Sequence, residues 1–377
     1  MPKNKSIWIV AAKRTVQGRF LGALAKYSAT ELGIAAGKAA LKGLDPAGVD
    51  MVIVGNVLSA GLGMNIARQI AIGAGAPIST PAYTVNMMCA SGMHAVILAI
   101  QTIQTGAANM VLCGGTESMS NAPYLLERAR SGYRLGNGVL VDSLLCDGLT
   151  DAFNHEHMGL TAEKIASVHN ISREAQDNFA VSSQHRYATA KANGHFCEEL
   201  VTIDALEQDE HPRPATTIAD LASLKPIFNR DGSITAGNSS GLNDGAAMLV
   251  LCDETWGRER GLTPLAVITG HTVVGCDPSM MGMGPVYATR KLSQNPREFD
   301  IVELNEAFAA QALACIKELG LDQQKVNPDG GAISLGHPIG ASGARLLVHL
   351  AHRRPKRGLA TLCVGGGMGY AVSMEQP

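Results

Sequence analysis

The chain has 377 residues, 46% hydrophobic and 17% charged, a composition that excludes disorder and at this length calls for two or three folding units. A formal net charge of -2 gives no electrostatic footing for nucleic acid and no apolar run approaches a membrane span, so a small molecule is the default partner. The eight cysteines include no CxxC pair and no His/Cys cluster at zinc spacing, which fits reduced thiols in the cytoplasm.

In the opening segment the apolar run extends only from Ile7 to Ala12, too short for a signal peptide, and an Arg-rich transit character is lacking. Ser6 to Ala12 reads as a strand, Ala29 to Lys42 as a helix and Asp50 to Val54 as a strand, an alternation that continues and argues for an α/β fold. Ser28 with Glu31 forms a capping box for the first helix, and Gly43 is its stop.

An internal repeat organises the rest. Ala90-Ser91-Gly92 followed by Gly114-Gly115 returns 251 residues later as Ala341-Ser342-Gly343 followed by Gly365-Gly366. Asp50 to Asn56 matches the shape of Asp300 to Glu306 at a shift of 250, so duplication of an α/β half is expected. The division this implies is a first half at 1–118, completed by about 244–262, an inserted substrate loop domain at 119–243, and a second half at 263–377. Within the insertion Arg173 to Asn193 reads as a helix ended by Gly194, and Thr235 to Leu251 passes from turn residues into an apolar strand.

Four places carry chemistry. Cys89 follows an extended segment and precedes an apolar helix, where free N–H groups and the helix dipole depress a thiol pKa; the plain alternative is a small thiol packed against the sheet. His337, in Gly336-His337-Pro338-Ile339-Gly340, takes by the repeat the place of Asn86. The two helix-entry loops are therefore expected to meet and bring a histidine to a cysteine. Cys363 ends the strand Leu359 to Val364 and runs into Gly365-Gly366-Gly367, either a flexible turn or bare N–H groups suited to an oxyanion hole. Asn305 lies where a strand meets a helix expected to begin at Glu306, as a helix cap or as an amide aimed at substrate.

Asn86 to Gly92, Asn305 to Ala309, Gly336 to Gly343 and Cys363 to Gly367 resemble, in order and spacing over essentially the whole chain, the four active-site motifs of the thiolases. Asp147 to Phe153 and His157-Met158-Gly159 are similar to the biosynthetic, acetoacetyl-CoA-forming branch of that family. Met87 departs from the pattern, standing where the family often has lysine, and the connection before Asp300 looks shortened.

The resemblance implies a duplicated five-layered αβαβα core and a homotetramer. It implies condensation of two acetyl-CoA to acetoacetyl-CoA plus CoA through an acyl-cysteine, with no cofactor beyond the CoA thioesters. Cys89 would be the acylated nucleophile, His337 its base, and Cys363 the acid/base that takes a proton from the second acetyl-CoA. Asn305, through a water, and His337 would hold the thioester oxygen of that substrate. The backbone N–H groups of Cys89 and Gly365 would hold the oxygen of the tetrahedral intermediate. For CoA, Ser240 and Ala236 would lie near the pantetheine, Met158 and Phe308 along apolar walls, and Arg213 near the nucleotide phosphates.

A degradative 3-ketoacyl-CoA thiolase of broader chain length is the near alternative. A ketoacyl synthase is disfavoured by Cys363, since decarboxylation needs no thiol base. A non-catalytic acyl-CoA-binding relative is disfavoured because all four motifs are intact.

Overall fold

The computed structural model describes residues 6–377; residues 1–5, which begin the segment read for targeting character, lie outside the described residues. The first strand, Ile7–Thr15, runs on past the apolar pattern because Lys13 and Arg14 keep pairing, opposite Met248 and Ala247. The helix Ala29–Leu41 starts where the Ser28 hydroxyl accepts from the Glu31 N–H and the Glu31 carboxylate accepts from the Ser28 N–H. It stops at Lys42, with Gly43 at a φ of 84° that only glycine adopts freely.

Neighbouring strands lie in the order Ile301–Leu304, Gly358–Val364, Met368–Glu375, Ala266–Gly275, Ile7–Thr15, Asn243–Asp253, Met110–Ser118, Met51–Gly55 and Ala82–Val85. One parallel pair followed by antiparallel steps appears twice. Met51–Gly55 pairs parallel with Met110–Ser118, which pairs antiparallel with Asn243–Asp253. In the same way Ile301–Leu304 pairs parallel with Gly358–Val364, which pairs antiparallel with Met368–Glu375. The halves join where Ile7 faces Ile268 and Ile9 faces Ala266.

Successive strand residues point to opposite faces, and both faces are covered, so these strands read as continuous apolar runs. Ile53, Val111 and Leu249 from the first half, and Ala360, Leu362 and Val372 from the second, turn inward onto the helices Ser91–Gln104 and Ile339–Arg353. Val52, Leu112 and Val250 turn outward under Ala29–Leu41 and Ile66–Ala74, and Leu304, Leu359 and Ala371 under Gly284–Leu292 and Ala309–Leu319. Helix, sheet, helix, sheet, helix is the resulting order of layers.

The two central helices cross at their N-terminal ends, and small residues make this close approach possible. A Cβ on Gly92 would lie 2.9 Å from Ala344 Cβ, one on Gly343 2.7 Å from Met93 Cβ, and one on Gly115 2.1 Å from the Gly340 carbonyl oxygen. The loops before these helices, carrying Cys89 and His337, are thereby brought together.

Between Met110–Ser118 and Asn243–Asp253 the chain forms a hairpin of Tyr124–Leu126 with Leu140–Asp142, a π-helical stretch Leu144–Leu149, and the helices Met158–His169 and Arg173–Ala192. The last is capped by Ser172 and ends at Asn193, with Gly194 at a φ of 74°. Buried ion pairs fasten this stretch to the core. Arg14 contacts Glu199 at 2.5 Å and Asp209 at 2.7 Å, and His349 lies between Glu199 at 2.8 Å and Asp329 at 3.0 Å. Among the described residues no helix is long and apolar enough to cross a membrane.

Candidate active site

Cys89 sits one residue before the N-cap of Ser91–Gln104, in a turn held by the Ser91 hydroxyl, which accepts from Met87 N–H at 2.9 Å and donates to the Met88 carbonyl at 2.7 Å. The backbone N–H groups of Gly365 and of Cys89 itself favour its thiolate. The helix terminus does not leave the thiol acidic as expected. Burial outweighs the two donors, the nearby Glu117 carboxylate adds to it, and the Cys89 pKa is pushed up to about 11. The resting group is therefore a thiol that needs a base.

His337 is buried, its N–H donating to Asn243 Oδ1 at 2.9 Å, and its Nδ1 lies 2.6 Å from Ser342 Oγ. The Ser342 hydroxyl donates its only proton to the Pro338 carbonyl at 2.9 Å, so it accepts at Nδ1. The proton of the neutral ring is thus fixed on Nδ1 and the lone pair on Nε2. Burial, reinforced by the Arg345 charge, lowers the His337 pKa to about 3, so the ring is neutral at physiological pH.

Cys363, at the end of Gly358–Val364, is buried in one apolar cluster with Met158, Met281, Ala307 and Phe308. Burial raises its thiol pKa well above the ordinary value, and the Cys89 thiolate would add to the rise. The glycines after it divide their duties. Gly366 and Gly367 have φ of 84° and 82° and make the turn into Met368–Glu375; Gly365 needs no such freedom and faces the cavity.

Asn305 is not a helix cap. The helix starts at Ala309, because the segment before it is tied elsewhere: Asn305 N–H donates to the Thr361 carbonyl at 3.0 Å and Phe308 bridges to Ser239. The Asn305 side chain is fully buried, yet neither its Oδ1 nor its Nδ2 has a hydrogen-bond partner among the described residues. A buried amide in that state is suited to a polar guest such as a bound water.

One cavity of about 660 Å³ is lined by Cys89, His337, Cys363 and Gly365, and also by Met158, Phe308, Ala236, Ser240 and Arg213. Asn305, fully buried, is absent from that lining. Met158 opens the helix Met158–His169, while Ser240 N–H donates to the Ala307 carbonyl at 3.0 Å, tying the turn at 236–241 to the segment that carries Phe308. Arg213 is exposed, its N–H held by Gln184 Oε1 at 2.7 Å. The cavity wall is mostly apolar and includes one arginine, the chemistry of a long uncharged arm ending in phosphates. Sequence reasoning missed Phe228, stacked on His157 at 4.6 Å, and Asn243 and Ser342, which hold His337. Ser342 had a signal: it is the repeat partner of Ser91, and both serines brace a helix-entry loop.

The thiolase N-terminal domain model matches residues 7–255 and the thiolase C-terminal domain model residues 262–376, so the chain belongs to the thiolase family. It is 50% identical to a protein of Chromobacterium violaceum named acetyl-CoA acetyltransferase, with 98% of this chain and 99% of that relative covered. Among solved structures it is similar to the acetyl-CoA acetyltransferase of Bacillus anthracis, at 43% identity and a TM-score of 0.95, covering 98% of each chain. It is equally similar to human mitochondrial 3-ketoacyl-CoA thiolase in complex with CoA, at 43% identity and a TM-score of 0.96, covering 99% of this chain and 98% of that one.

Proposed function

We propose that this thiolase is an acetyl-CoA C-acetyltransferase, condensing two acetyl-CoA to acetoacetyl-CoA and CoA, reversibly and without a cofactor beyond the CoA thioesters. The observation that carries the reading is that Cys89, His337, Cys363 and Gly365 line one cavity. His337 Nε2 takes the Cys89 proton as the sulfur attacks the thioester carbonyl. The N–H groups of Cys89 and Gly365 hold the oxyanion until the bond to CoA breaks. The departing CoA thiolate takes the Cys363 proton, which leaves Cys363 as the base for the methyl group of the second acetyl-CoA.

That carbanion attacks the acyl-cysteine; a carbon–carbon bond forms, Cys89 sulfur leaves, and it regains its proton from His337. Asn305, through a bound water, and His337 hold the thioester oxygen of the second substrate. Met158, Phe308, Ala236 and Ser240 flank the pantetheine, and Arg213 meets the nucleotide phosphates. The presence of these four apolar or small residues and of the Arg213 cation in the lining of the same cavity supports this assignment.

The division into a first half at 1–118 with 244–262, an insertion at 119–243 and a second half at 263–377 belongs to the same reading. So do a homotetramer and a cytoplasmic location. A hairpin exposing Leu135, Val139 and Leu140 supports subunit contact there. Intact-protein mass spectrometry after addition of acetyl-CoA tests the function: an acetyl adduct mapping to the Cys89 peptide is expected, and its absence overturns the reading. The likeness to a 3-ketoacyl-CoA thiolase favours a second reading, degradation of longer chains. Preference for C4 over C10 3-ketoacyl-CoA in kcat/KM supports the first; equal values support the second.

A further inference from the structure

The two loops that flank Cys89 are joined by one carboxylate. Glu117, near the end of Met110–Ser118, is fully buried and accepts four hydrogen bonds. Asn56 Nδ2 at 2.8 Å and Leu58 N at 3.2 Å donate to Oε1; Val57 N at 3.1 Å and Gly340 N at 3.0 Å donate to Oε2. The fit is close: a Cβ on Gly340 would lie 2.7 Å from Glu117 Oε2. Val57, Leu58 and Ile339 in turn form the apolar cluster against which Met88 and Cys89 pack. With four donors and no acceptor in contact, the ionised carboxylate is the form this pocket suits.

We propose that Glu117 is a positioning residue for acyl transfer, its buried carboxylate clamping the loop at 56–58 to the Gly340 turn and so fixing both the bed of Cys89 and the loop of His337. The inference rests on the acyl-transfer reading of Cys89. Glutamine cannot substitute, because whichever way its amide is turned the NH₂ faces two N–H donors. Burial pushes Glu117 up to about 7 against the pull of those donors, and its charge contributes to the raised Cys89 thiol. Cys89 feels the Glu117 charge, and the titratable or charged groups that share its cavity are His337, Cys363, His157, His211, Arg213 and Asp220.

The test uses full-length E117Q and E117D with two readouts: acetylation of Cys89 by labelled acetyl-CoA, and the pH midpoint of Cys89 alkylation by iodoacetamide, mapped by peptide mass. Displacing a nucleophile by an ångström costs on the order of a hundredfold, so E117Q is expected to acetylate at least about tenfold more slowly. Its alkylation midpoint is expected to move to lower pH, since a negative neighbour is gone. E117D keeps the charge but draws it back by one methylene; it is expected to acetylate slowly with its midpoint near that of the parent. A merely structural role would lower the folded fraction and leave the midpoint of the folded protein unmoved. Parent-like acetylation in either variant, or an unmoved midpoint in folded E117Q, overturns the proposal. A parent that never acetylates overturns the acyl-transfer reading instead, and the alkylation midpoints still decide whether Glu117 acts on Cys89.

Discussion

In the proposed mechanism His337 acts through a proton it cannot lose easily and a lone pair left free. Ser342 holds the Nδ1 proton, and burial keeps the ring neutral to about pH 3, so Nε2 is the free base. Ser342→Ala deprives Nδ1–H of its acceptor and lets the tautomer reverse. Loss of an effective general base costs about 10²- to 10⁴-fold. Ser342→Ala is accordingly expected to lower the Cys89 acetylation rate by at least about tenfold within the same frame, with KM for acetyl-CoA nearly unchanged; a proportional rise in KM with an unchanged rate would contradict this. At this scale residue identity was readable from the motifs, but residue state was not. A helix terminus alone predicts an acidic Cys89, whereas the fold buries the sulfur and raises its pKa to about 11. Likewise nothing local distinguishes a capping Asn305 from a buried one with an unpartnered amide, since that depends on strand pairing with Thr361 and a bridge from Ser239.

Elements whose ends are set locally were legible to within a residue or two. Ser28, Glu31 and Gly43 bound one helix, and Gly194 stops another that begins at Arg173. The helix after Asn305 was placed too early because its start is set from outside: Ala309 N–H donates to the Asn238 carbonyl, from a turn far away in sequence. The close approach of the two helix-entry loops was legible through the repeated Ala-Ser-Gly and Gly-Gly signatures, although not its tightness. Gly115→Ala would place a methyl group 2.1 Å from the Gly340 carbonyl oxygen. Overpacking of this kind costs about 1–3 kcal/mol. Denaturant unfolding is expected to show that loss, and acetylation of the folded variant is expected to fall more than the loss of folded protein explains, because the Gly340 turn shifts with His337. Wild-type stability and rate together would show that the loops have room the structure denies them.

Over the whole molecule, the duplicated halves were legible from the repeat, but the lock between insertion and core was not, since its members lie far apart in the chain. His349, on the central helix Ile339–Arg353, is buried between Glu199 and Asp329. Burial alone would lower its pKa, but those carboxylates prevail and raise it from 6.5 to about 10. A histidine raised in the folded state contributes stability that is complete below about pH 6.5 and is lost as pH climbs toward about 10. His349→Gln is expected to cost about 3–5 kcal/mol at pH 6, the cost of stranding buried charges, and less at pH 9.5. Unfolding curves at the two pH values check the sign; an equal loss at both would contradict it. The central claim is that Cys89 and Cys363 perform different steps within one cavity, and it is tested most directly by separating those steps. Folded Cys89→Ala and Cys363→Ala are each incubated with labelled acetyl-CoA, and label on the protein, acetoacetyl-CoA formation and solvent-deuterium exchange into the acetyl methyl group are followed. Cys89→Ala is predicted to lose label and product together; Cys363→Ala is predicted to keep measurable label at Cys89 while condensation and exchange fall by about 10²- to 10⁴-fold. Near-normal condensation by Cys363→Ala, or label at Cys363 in Cys89→Ala, would contradict the assignment.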